Sequence, residues 1–114
     1  VGKEKIVSEK LVRDEVGGRM IAEGLVVRVA SPSELVGLLA RKLVEEAQEV
    51  LAAIESDGDP ADVIEELGDV ELAMFSLKRA MGIHDVHVLA AAHDKTRREG
   101  AFNRGFVWTK PEEK

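Results

Sequence analysis

Residues 42–70, KLVEEAQEVLAAIESDGDPADVIEELGDV, decide how this chain folds. Two segments of helical periodicity flank Ser56-Asp57-Gly58-Asp59, a run too rich in turn-forming residues to continue a helix. Asp59-Pro60 restarts one, because the aspartate side chain accepts from the first free amides and proline needs no amide hydrogen at the first helical position. From there Val63, Ile64, Leu67, Val70, Met74, Leu77 and Met81 recur with helical spacing until Gly82. Upstream, Ser31-Pro32 gives the same signal and Glu34 completes a capping box. The helix it opens is expected to run to about Glu55, with Leu35, Leu38, Leu39, Leu43, Val50 and Ile54 as its apolar contacts. The short connection makes the two helices an antiparallel hairpin.

Outward from the hairpin, a third helix is expected from about Asp85 to Glu99, bearing Val86, Leu89, Ala90 and Ala92 and closed by a left-handed Gly100. On the other side, SEKLVRDEVGGRMIAEG (8–24) has an apolar face at Leu11, Val12, Val16, Met20 and Ile21, but Gly17-Gly18 weakens a continuous helix. Two short helical pieces are the expectation there. LVVRV (25–29) has no second strand to pair with and reads as an extended linker. The tail AFNRGFVWTKPEEK has no period, and its charged end is expected to fray. Residues 1–114 together read as one all-α domain, an antiparallel helical bundle.

Composition narrows the chemistry. No cysteine is present, so a metal would have to be held by oxygen or imidazole ligands. Aromatic residues make up only 4% of the chain against 45% hydrophobic, a core of Leu, Val, Ile, Ala and Met as in packed helices. A net charge of −6 argues against nucleic acid as a partner. VGKEKIVSEK lacks the apolar run of a signal peptide, and no stretch approaches the roughly 18 apolar residues of a membrane helix. The expectation is a cytoplasmic protein with no membrane partner.

Glu46 and Glu49 project from one helical face with Glu45 beside them, and Glu66 and Asp69 repeat the same offset on the next helix. Charged pairs on a solvated helix face are ordinary; two pairs in register are not. Glu46 and Asp69 are equidistant from the centre of the turn, as are Glu49 and Glu66, so the four acids stand at matching heights. Leu43, Val50, Leu67 and Val70 flank them, placing each pair at the margin of a core-facing stripe. Four anions at helix-packing distance repel one another unless a divalent cation neutralises them. Magnesium, with manganese as the alternative, suits an open carboxylate cluster and points to phosphate chemistry. A di-iron bundle requires Glu-x-x-His pairs, and no histidine here lies three residues after a glutamate.

The basic residues allow two readings. Lys95, Arg97 and Arg98 at the end of the third helix either complement its dipole or grip the phosphates of a metal-chelated substrate. Lys42, one turn before Glu46, is either its intrahelical partner or such a contact. His84 and His87 read as cap and surface residues, and Phe106 and Trp108 as docking the tail, with base stacking the alternative.

EExxE followed by ExxD on paired helices resembles the MazG-like all-α nucleoside triphosphate pyrophosphatases, a superfamily that includes phosphoribosyl-ATP pyrophosphohydrolases. KLVRD (10–14), KLVEEAQEVLAA (42–53), EELGDV (65–70) and a late element from Lys95 to Phe102 stand in the family's order. The resemblance implies magnesium-dependent hydrolysis of a nucleoside triphosphate to the monophosphate and pyrophosphate. It also implies Glu46, Glu49, Glu66 and Asp69 as ligands, with Glu45, alongside Glu46, in a catalytic role. Lys10, Arg13, Lys42, Lys95 and Arg98 would contact the substrate. Two departures stand out: Glu99 precedes the late glycine where relatives carry arginine, and Gly17-Gly18 replaces a stretch that commonly contains proline. Phosphoribosyl-ATP hydrolysis is the rival activity, and a non-catalytic helical interaction module the rival class. Apolar residues on more than one face, Leu72, Met74 and Phe75 among them, imply a homodimer or a dimer of dimers.

Overall fold

The structure, a computed structural model, describes residues 9–112. Helix α1 spans Asp14–Ala22, α2 Pro32–Ser56, α3 Pro60–Met81 and α4 Asp85–Glu99, with no strand among the described residues. Contacts divide the chain into two compact units, the first ending at Gly82 and the second starting at Ile83.

In the first unit α2 and α3 pack along each other as the antiparallel hairpin expected. Each boundary has a local cause. At the start of α2 the Glu34 carboxylate accepts from the Ser31 amide at 2.8 Å, the return half of the capping box. Asp59 Oδ1 accepts from the Ala61 amide at 3.0 Å, which frees α3 to start at Pro60. Between them the chain reverses at Gly58, whose φ of 65° lies in a region that a side chain disfavours. Gly82 ends α3 in the left-handed conformation. Among the described residues the buried apolar side chains are Leu39 on α2 and Ala73 on α3, and the small alanine side chain allows close helix approach.

Residues 9–13 are irregular, with Arg13 extended, and a single helix, α1, follows, so the two helical pieces expected for 8–24 are not formed. The helix runs straight through Gly17-Gly18. Leu11 and Val12 precede it and are half-buried. A Cβ on buried Gly17 would meet Val12 Cγ2 at 3.4 Å, an ordinary contact, so the incoming segment packs directly over α1 at this glycine. LVVRV is irregular and strand-free, as a linker should be. Arg28 within it clamps two acids, donating to Glu9 at 2.9 and 3.1 Å and to Glu34 at 2.9 and 3.0 Å.

In the second unit α4 buries none of its residues, and the apolar Val86 and Leu89 are exposed. Gly100 has the positive φ expected, 89°, but its ψ of 175° is extended, so it turns the chain out of the helix without the left-handed cap. Phe106 and Trp108 do not dock: they are 80% and 75% exposed, with Arg104 over one ring at 4.5 Å and Lys110 over the other at 5.8 Å. His84 stands at the N-cap position of α4, but its side chain caps no amide; it meets His87 edge to face, and both are exposed surface residues. Of the charged end expected to fray, Glu113 and Lys114 lie outside the described residues.

Candidate metal centre

Equal distance from the Gly58 turn puts the acids of α2 and α3 at one level, and helix packing turns three of them together. Carboxylate oxygens of Glu46, Glu66 and Asp69 lie within 4.8 Å of one another. Opposite oxygens in an octahedral magnesium shell are about 4.2 Å apart, given Mg–O distances of about 2.0–2.1 Å. Only one pair among three ligands can be opposite; adjacent oxygens stand about 2.9 Å apart, so these side chains would draw in by up to about 2 Å, within reach of a rotamer change, and as hard charged oxygen donors they suit such an ion. Glu49 is exposed and outside this trio, yet near enough to repel Glu66.

Glu46 is the buried charged residue of the described chain, at 9% exposure. Lys42, one turn earlier, reaches it at 3.1 Å and Glu45 at 3.4 Å. Partial burial works against the Lys42 charge, but these two carboxylates outweigh it and raise its pKa. Glu45 also receives Lys10 Nζ at 3.1 Å, and that hydrogen bond with Lys42 nearby holds its carboxyl below the usual range. Asp69 receives Arg13 Nη2 at 2.5 Å. Glu66 goes the other way. Partial burial, then repulsion from Asp69, Glu49, Glu46 and Glu65, push its carboxyl above the ordinary value.

Three of the five basic residues expected to contact the substrate thus converge on the acidic level: Lys10, Arg13 and Lys42. Lys95 and Arg98 belong to α4 in the second unit. There Arg98 pairs with Asp94 at 3.4 Å and Glu99 at 3.8 Å, and Arg97 with Asp94 at 3.0 Å. Sequence reading missed Arg41. It lines, with Lys10, Lys42, Leu11, Leu38, Glu9 and Glu45, a cleft of about 420 Å³ beside the acids. Its position four residues before Glu45 was the available signal.

An all-α hairpin with carboxylates converging across its two helices, and lysines and an arginine at their rim, has the donors to hold a divalent cation and the charges to meet an anion. Residues 36–99 match the MazG nucleotide pyrophosphohydrolase domain, more than half of the chain, and the chain belongs to that family. The match takes in all five acids, Lys42, Lys95 and Arg98, and leaves out Lys10 and Arg13. Family members are nucleotide pyrophosphohydrolases that typically use a divalent metal. No curated protein and no solved structure matches the chain significantly. No helix among the described residues is long and apolar enough to cross a membrane.

Proposed function

We propose that this protein hydrolyses a nucleoside triphosphate, with non-standard and deoxy ones in its range, to the monophosphate and pyrophosphate, using magnesium or manganese in the cytoplasm. The observation that carries this reading is the approach of Glu46, Glu66 and Asp69 oxygens to within 4.8 Å in a chain of this family. Those three would hold the cation, with Glu49 a ligand only if its exposed side chain turned in, and the bound cation would neutralise phosphate oxygens and activate water. Water oxygen bonds to the α-phosphorus as the bond to the α–β bridging oxygen breaks, the pyrophosphate leaves with the bond's electron pair, and the water's proton is released to solvent. Glu45, drawn below the usual carboxylate range by Lys10 and Lys42, stays ionised to orient that water. Lys10, Arg13 and Lys42 supply cations for the polyphosphate.

We also propose assembly as a homodimer, or a dimer of dimers, on the support of what the helices leave uncovered. Ile64, Leu67, Leu72, Met74, Phe75 and Met81 on α3 are all exposed, as are Val44, Leu51 and Ile54 on α2. Leu67, Met74 and Met81 recur every seven residues, the spacing of a helix–helix seam. Covering the open half of one such side chain is worth about 1 kcal/mol. Association costs roughly 4 kcal/mol or more, so several must be covered at once, and α3 alone offers enough.

The activity is tested by screening common ribo- and deoxyribonucleoside triphosphates for release of pyrophosphate with magnesium and with a chelator. Magnesium-dependent pyrophosphate from one or more of them supports the reading. Orthophosphate as the first product, or no turnover of any, contradicts it.

A further inference from the structure

Residues 9–13 lie outside the family match, yet they tie both helices of the hairpin: Lys10 to Glu45 on α2 and Arg13 to Asp69 on α3. Arg13 is therefore bonded to one of the three acids whose oxygens converge. Its backbone is fixed, because Arg13 precedes α1 and its carbonyl accepts from the Gly17 amide at 2.8 Å. Half-buried Leu11 and Val12 hold the segment down beside it. The Arg13 side chain, by contrast, is more than half exposed and can swing without moving the backbone.

A divalent cation and this guanidinium compete for Asp69. At equal distance a charge of +2 repels the guanidinium twice as strongly as one carboxylate attracts it. Surface ion pairs are worth little, so the exchange meets no large barrier. The released group then faces whatever anion the cation brings, and a planar guanidinium suits phosphate oxygens two at a time. Resting on the metal reading above, we propose that Arg13 serves as a built-in counterion: it neutralises Asp69 in the metal-free protein, gives it up to the divalent cation, and moves onto the polyphosphate of the incoming nucleotide. Metal and substrate binding then reinforce each other through one side chain.

The test titrates wild-type protein and Arg13→Gln with magnesium alone by calorimetry, then with inorganic triphosphate at saturating magnesium. Losing the competitor should tighten magnesium binding roughly two- to fivefold, the range of an exposed ion pair. Losing the phosphate contact should weaken triphosphate binding about tenfold. In the wild type, magnesium alone should shift the ¹⁵N resonance of the Arg13 Nε group, a readout that needs no variant to fold; Arg13→Lys serves to assign it. Equal or weaker magnesium binding by Arg13→Gln overturns the exchange, as does an unmoved Arg13 resonance in protein that binds magnesium. Unchanged triphosphate affinity overturns the transfer to phosphate. Failure of the wild type to bind magnesium at all removes the metal reading and this proposal with it.

Discussion

Glu34 and Glu46 sit on the same helix, and their surroundings are opposite. At the start of α2, Glu34 takes both prongs of Arg28 and the Ser31 amide, and its pKa falls to about 2. Further along, Glu46 is nearly buried with one lysine, and faces Glu66 and Asp69 across the hairpin. Around that level five carboxylates (Glu45, Glu46, Glu49, Glu66 and Asp69) meet three cations (Lys10, Arg13 and Lys42), leaving a charge of −2. Glu34 is a structural acid whose partner is part of the chain. The hairpin acids form a group whose neutralisation is incomplete without an added ion, and the sign of the Glu66 shift is the mark of it.

The largest effect expected from that contrast is on turnover. Glu66→Gln should lower magnesium-dependent pyrophosphate release by at least about a hundredfold, since an amide supplies only a neutral oxygen to the cation. Glu34→Gln should leave turnover within about twofold, because its bonds end on Arg28 and Ser31. A steady-state assay of both variants checks this, and equal losses would erase the distinction. Glu49→Gln should fall between them, about tenfold down, since Glu49 stands outside the converging trio.

Metal-free stability should respond with opposite signs. Removing one charge from the crowded trio relieves repulsion, so Glu66→Gln should hold or raise the thermal midpoint in a chelator, whereas Glu34→Gln should lower it. Thermal melts of the two variants beside the wild type read this out.

A smaller effect appears with pH. Glu66 has a raised pKa, so its protonated form favours the fold: that contribution is complete below the unfolded value of 4.5 and is lost as pH rises through the raised one. Glu34 has a lowered pKa, so its contribution is complete above 4.5 and is lost as pH falls towards about 2. Metal-free midpoints should therefore climb slightly from pH 7 towards pH 5 and drop in stronger acid. Arg28→Ala should flatten the acid limb and Glu66→Gln the other. A curve that only falls on acidification would mean that Glu66 is not crowded.

What the sequence made legible is what depends on near neighbours. Ser31-Pro32 and Asp59-Pro60 set the starts of α2 and α3 because caps act within one turn. The register of the acids followed from counting outward from the Gly58 turn. The long-range contacts were not legible. Gly17-Gly18 looked like a break because propensity is local, while α1 runs through both and Val12 packs against Gly17. Arg13 on Asp69 joins residues far apart in the chain, and Arg28 on Glu9 and Glu34 depends on the path of an irregular linker. Nor does spacing reveal which of four acids rotates out, as Glu49 does.

The most direct test of the central claim, that the hairpin acids form a divalent-cation site, is the thermal midpoint of wild type and Asp69→Asn with and without magnesium. Cation at about a hundredfold over its dissociation constant adds about 2.7 kcal/mol. That amounts to an upward shift on the order of 10 °C for a chain of this size. The wild type should show that shift and lose it to a chelator, while Asp69→Asn, folded and no less stable without metal, should show little or none. Equal magnesium shifts in the two proteins, or none in the wild type, would contradict the account.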